Sequence, residues 1–159
     1  MPRRPTTAAF LAAALTLIAA CSTSGNGGPP ADSMPSAQPT PGAVTTALSL
    51  GTDRVAPGDS IPLTLHVVNG TTEPLILEFT SSQRYELWLA PATGEPIWTW
   101  SADKLFMQAL GQDTIAPGDT IQFADVVPAP SEPGTYRVIG SIVTTTRDLS
   151  DTAAVTVAR

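Results

Sequence analysis

Lysine occurs once in this chain, at Lys104, cysteine once, at Cys21, and histidine once, at His66. Charged residues make up only 14% of the sequence, and the formal net charge is −6. That balance excludes nucleic-acid binding, because neutralising phosphates needs clustered lysine and arginine. A lone cysteine excludes a disulfide within the chain. A lone histidine, with no cysteine or carboxylate at ligand spacing around it, offers no metal site, so His66 reads as a satisfied or solvent-facing residue. No G-x-S-x-G elbow presents Ser81, Ser82 or Ser101 as a nucleophile, and no glycine-rich phosphate loop occurs. Neither an enzyme nor a cofactor is expected. No apolar run reaches the ~18–20 residues that span a bilayer as a helix. The longest, Ala8 to Ala20, is interrupted by Thr16.

That short run has its own meaning. Arg3 and Arg4 precede it, and the combination reads as a cleavable export signal over residues 1–20. Cys21 follows Leu17-Ile18-Ala19-Ala20 directly, a pattern that resembles the lipobox of bacterial lipoproteins. There the cysteine becomes the new N-terminus and its thiol carries a diacylglyceryl group. Two acyl chains meet the requirement for stable anchoring, at ~0.8 kcal/mol per buried methylene. Residues 21–43, rich in Gly, Ser and Pro, cannot bury enough surface to offset their ordering entropy and are expected to form a disordered tether. The expected location is therefore outside the cytoplasm, anchored to the bacterial cell envelope through lipid on Cys21.

Residues 44–159 carry strand signals in close succession. Ile61, Leu63, Leu65 and Val67 alternate with Pro62, Thr64, His66 and Val68; Leu75, Leu77 and Phe79 repeat the period, as do Tyr85, Leu87 and Leu89. A hairpin through Ala92-Thr93-Gly94-Glu95 is expected to lead into a strand from Ile97 to Trp100. Further strands are expected over 44–50, 120–127, 135–145 and 152–158, and a helical turn or two over Ala102 to Leu110. Asn69-Gly70 reads as a turn. Strands this closely spaced predict an all-β, antiparallel β-sandwich. Val55-Ala56-Pro57-Gly58-Asp59 returns as Ile115-Ala116-Pro117-Gly118-Asp119, consistent with one type II turn used twice in a single sandwich. In Gly134-Thr135-Tyr136, the tyrosine fits either a tyrosine corner or an ordinary buried strand position.

All three tryptophans and the one lysine fall between Ser81 and Leu110. Trp98 and Trp100, two apart on the expected strand, point to one face, and that face is either core or an aromatic binding surface. Arg84 and Lys104 either pair with Glu86, Glu95 or Asp103 or meet an acidic partner. The stretch resembles the BsuPI family of intracellular proteinase inhibitors through Ser82-Gln83-Arg84-Tyr85, Gly94-Glu95, Trp98-Thr99-Trp100-Ser101, Lys104-Leu105-Phe106 and Gln108-Ala109-Leu110. Ala116-Pro117-Gly118-Asp119 and Gly134-Thr135-Tyr136 extend the likeness. The resemblance implies an immunoglobulin-like sandwich and inhibition of a subtilisin-like serine protease. The leader departs from the family's namesake, which acts inside the cell. Ser82, Gln83, Arg84, Trp98, Trp100 and Lys104 are the candidate partner contacts. Two other readings stand beside inhibition: a non-inhibitory envelope protein-interaction module, and a small-ligand or carbohydrate binder using Trp98 and Trp100.

Overall fold

The computed structural model describes residues 42–159. The signal segment 1–20, Cys21 and the tether up to residue 41 lie outside the described residues. The period-two patterns are realised as strands: β1 (Val44–Leu50), β2 (Arg54–Val55), β3 (Ser60–Asn69), β4 (Leu75–Phe79), β5 (Tyr85–Pro91), β6 (Trp98–Thr99), β7 (Gly111–Ile115), β8 (Thr120–Pro128), β9 (Gly134–Ile142) and β10 (Ser150–Val157). In β3, Ile61, Leu63, Leu65, Val67 and Asn69 are buried, while none of the residues between them is. Alternate side chains leave opposite faces of a pleated strand, so the sequence period becomes a one-sided apolar surface.

Among the described residues, three sheets result. Strands β1-β3-β8 form one, β2-β10-β9-β5-β6 a second, and β4-β7 a third, two-stranded one. Every pairing is antiparallel except β2 with β10. The order β1-β3-β8 over β10-β9-β5 is that of strands A-B-E over G-F-C in an immunoglobulin-like sandwich. Leu65 and Val67 from the first sheet, Leu87, Leu89 and Val138 from the second, and Leu77, Phe79 and Ile115 from the third share one core. Fully burying a side chain of this size contributes about 1.5–3 kcal/mol, so the cluster is what holds the sheets together.

The repeated turn has a structural counterpart. Gly58 and Gly118 take φ of 81° and 79°, and Asp59 and Asp119 donate their amides back to Ala56 and Ala116 at 3.2 and 3.0 Å. These are type II turns, in which glycine accepts the positive φ. Each turn opens a strand, β3 or β8, and those strands pair antiparallel, so the turns cap opposite ends of one ladder. The Asp59 carbonyl accepts from the Ala129 amide at 2.7 Å, and the Asp119 carbonyl from the Asn69 amide at 2.9 Å. Asn69, fully buried, ends β3 as a hub: its Nδ2 donates to the carbonyls of Glu73 and Ile115, and its Oδ1 accepts from the amide and hydroxyl of Thr71. Tyr136 resolves to a tyrosine corner, its hydroxyl donating to the Glu132 carbonyl at 2.9 Å.

Several elements depart from the sequence expectation. The strand expected from Ile97 to Trp100 is only two residues long, because a 3-10 turn begins at Trp100 and runs to Asp103. The helical turns expected over 102–110 are absent beyond it, and Lys104–Leu110 has no regular structure. β9 stops at Ile142 rather than residue 145, because the chain swings toward β4: the Thr145 amide and Thr144 hydroxyl both donate to the Glu78 carbonyl.

Candidate functional site

The motif residues between Ser81 and Leu110 converge on one object, the loop from Trp100 to Leu110 that leaves β6 and returns as β7. Its first anchor is Trp100. The indole Nε1 donates to Asp125 Oδ2 at 2.7 Å, and the Tyr85 hydroxyl donates to the same oxygen at 2.6 Å. The Trp100 ring lies 4.4 Å from that of Tyr85 and 5.9 Å from that of Phe106, and Tyr85 packs on Phe123 at 5.1 Å. Burial alone would raise the Asp125 carboxyl, but hydrogen bonds from Tyr85, the Val126 amide and Trp100, with the charge of Lys104, outweigh it and hold the group below its ordinary range. Burial, the hydrogen bond to Asp125 and that carboxylate's charge push the Tyr85 phenol well above its usual value.

Glu86 is the second anchor. Its side chain is buried, with Oε1 accepting from the Leu87 and Ser101 amides and Oε2 from Gln83 Nε2, so its charge is met by three donors. Ser101 is thereby tied to β5 at the point where the loop departs. Ser82 is the third: its amide donates to the Met107 carbonyl at 2.9 Å and its hydroxyl accepts from the Met107 amide at 3.0 Å. Arg84 fixes the return into β7, with Nε 2.8 Å from Asp113 Oδ2, Nη1 donating to the Ser81 carbonyl, and the guanidinium 4.3 Å over the Phe79 ring. A Cβ on Gly111 would come within 2.8 Å of Arg84 Nη2, so a larger residue here would push the guanidinium aside. Lys104 folds back on the loop, donating to the Trp100 carbonyl at 2.8 Å and sitting 4.3 Å over the indole.

Five of the six residues singled out from the sequence thus meet at this loop, Trp100 and Lys104 within it and Ser82, Gln83 and Arg84 beside it. Trp98 stands on β6 opposite Leu89, half-buried against the core. The polar groups of Ser82, Arg84, Trp100 and Lys104 bond within the chain itself, and beside the exposed Asp103 and Gln108 the loop presents large apolar side chains to solvent. Leu105 is 101% exposed, Leu110 89% and Met107 73%. Shallow grooves of about 400 Å³ lie on either side, one lined by Phe79, Leu110 and Thr145, the other by Ile97, Trp98 and Asp103. Sequence reasoning did not single out Glu86, Asp113 or Asp125 as anchors. Asp125 sits among alternating exposed and half-buried residues of β8, with no local signal that two aromatics converge on it. Among the described residues, no three His, Cys, Asp or Glu side chains gather to hold a metal ion, and no helix is long and apolar enough to cross a membrane.

The BsuPI family model, described as intracellular proteinase inhibitor, matches residues 48–147, which include every anchor and the whole loop. No curated protein matches the chain. Among solved structures it is similar to the sporulation control protein Spo0M of Bacillus subtilis, at 21% identity and a TM-score of 0.49 over 74% of this chain and 50% of that one. It thus spans about half the length of Spo0M. It is also similar to the CARDB domain of PF1109 from Pyrococcus furiosus, at 16% identity and a TM-score of 0.44 over 73% of this chain and 88% of that one.

Proposed function

Because the chain belongs to the BsuPI family of intracellular proteinase inhibitors, we propose that its sandwich inhibits a serine protease of the subtilisin type. We further propose that it does so from the bacterial cell envelope, held by lipid on Cys21. The observation that carries the inhibitory reading is the family match across residues 48–147. The clamped loop supports it physically. Inhibitors of proteases bind with little backbone movement, and affinity rises when the contacting segment is already ordered before the encounter. Here the loop is ordered by Asp125, Glu86 and Ser82 without spending its exposed leucines. The leader and Cys21 support a target met outside the cytoplasm, unlike the setting in the family's description. Titrating the full chain into subtilisin tests the reading: activity is expected to fall at micromolar inhibitor. Undiminished activity at that concentration sinks it.

A further inference from the structure

We propose that Leu105 is the residue the domain inserts into the primary specificity pocket of its target, and that this pocket is a large apolar one. The proposal rests on the inhibitory reading above and adds to it the contacting residue and the protease class. A side chain that enters such a pocket must project fully while its neighbours are held by the scaffold. Leu105 meets both conditions, being 101% exposed between residues that are pinned. Lys104, before it, has extended backbone angles of −111° and 150°, and its Nζ is bonded to the Trp100 carbonyl. Phe106, after it, packs on the Trp100 ring, which Asp125 holds in place. Met107 is fastened to Ser82 through both its amide and its carbonyl.

The other exposed apolar residues lack this combination. The main-chain groups of Met107 are already taken by Ser82, whereas Leu105 makes no backbone hydrogen bond among the described residues. Its amide and carbonyl are therefore free to pair with an enzyme strand, as extended peptides do in clefts. Leu110, at 89% exposed, borders the groove beside β7 rather than standing clear of it. A single leucine with Lys104 before it is a finger and not a flat patch, so a concave cleft fits it better than a second copy of this chain. Leucine offers no positive charge to an acidic pocket, and so the pocket it suits is apolar.

The test measures inhibition constants of the full chain, Leu105→Ala and Leu105→Arg against subtilisin, whose pocket is apolar, and trypsin, whose pocket is acidic. Because the side chain touches solvent alone, both variants should melt with the wild type. Leu105→Ala is expected to weaken subtilisin inhibition about 10- to 100-fold, in the range of a central interface anchor. Leu105→Arg is expected to inhibit trypsin where the wild type does not, a gain that misfolding cannot produce. If the wild type inhibits subtilisin and both variants inhibit it equally well, the assignment of Leu105 is overturned while the inhibitory reading stands. If the wild type inhibits neither enzyme, both fall. A wild-type dimer split by Leu105→Ala without any change in inhibition also overturns the assignment, because the loop then serves self-association.

Discussion

Asp125 is a half-buried carboxylate that accepts from two aromatic side chains on one oxygen, and much of the loop's order depends on it. Asp125→Ala leaves the Tyr85 hydroxyl and the Trp100 indole N–H without their acceptor, at a cost of about 1–3 kcal/mol in denaturant unfolding. The low end applies, because the carboxylate is partly open to solvent and salt screens it. Its ionisation sets a direction in pH. The folded state holds the carboxyl below its unfolded range, so the stabilisation is complete above about pH 4 and disappears as pH falls through the lowered value. Asp125→Asn, which keeps an acceptor oxygen but no titrating group, is expected to lose less stability on acidification than the wild type. Parallel melting curves between neutral and acid pH check this.

At the scale of elements, the loop from Trp100 to Leu110 has almost no secondary structure of its own and is ordered by side chains of β5, the turn before it and Asp125 on β8. Glu86→Ala removes the acceptor of the Ser101 amide, and Ser82→Ala that of the Met107 amide. Each is expected to speed hydrogen exchange at that amide at least about tenfold while amides in β3 keep their protection, since local opening is independent of global unfolding. Uniform acceleration in β3 as well would mean that the loop and core unfold together. The same contrast explains what the sequence made legible. β3, β4 and β5 were readable because one face of each meets the core and the apolar period survives in the residues. β7 was not, since in Gly111-Gln112-Asp113-Thr114-Ile115 only Ile115 is buried. The sequence predicts a helical turn or two over Ala102 to Leu110, yet Leu105, Met107 and Leu110 face solvent, so no packed face exists to stabilise one. The motif marked Ser82, Gln83 and Arg84 as candidate contacts, but their bonding to the loop depends on pairing across distant strands. The partnership of Asp125 with Trp100, twenty-five residues apart, is of the same kind.

For the whole molecule, the proposed anchor makes a prediction independent of inhibition. Cys21→Ala, expressed in a bacterium that processes lipoproteins, is expected to move the protein from the membrane fraction to the soluble one. Retention in the membrane would remove the lipid from the proposal and leave the sandwich untouched. One contact within the sandwich has a consequence for many copies held together. β1 ends its sheet, and the Leu48 amide, which β3 does not take, donates at 2.7 Å to the carboxylate of Asp151 on β10. The five-stranded sheet ends in β2 and β6, each two residues long. An open strand edge is a template on which another molecule can polymerise, and a charged side chain or a very short strand denies it the length to do so. Asp151 therefore occupies one amide of the β1 rim, and a second molecule adding a strand along it would have to give up the bond at Leu48.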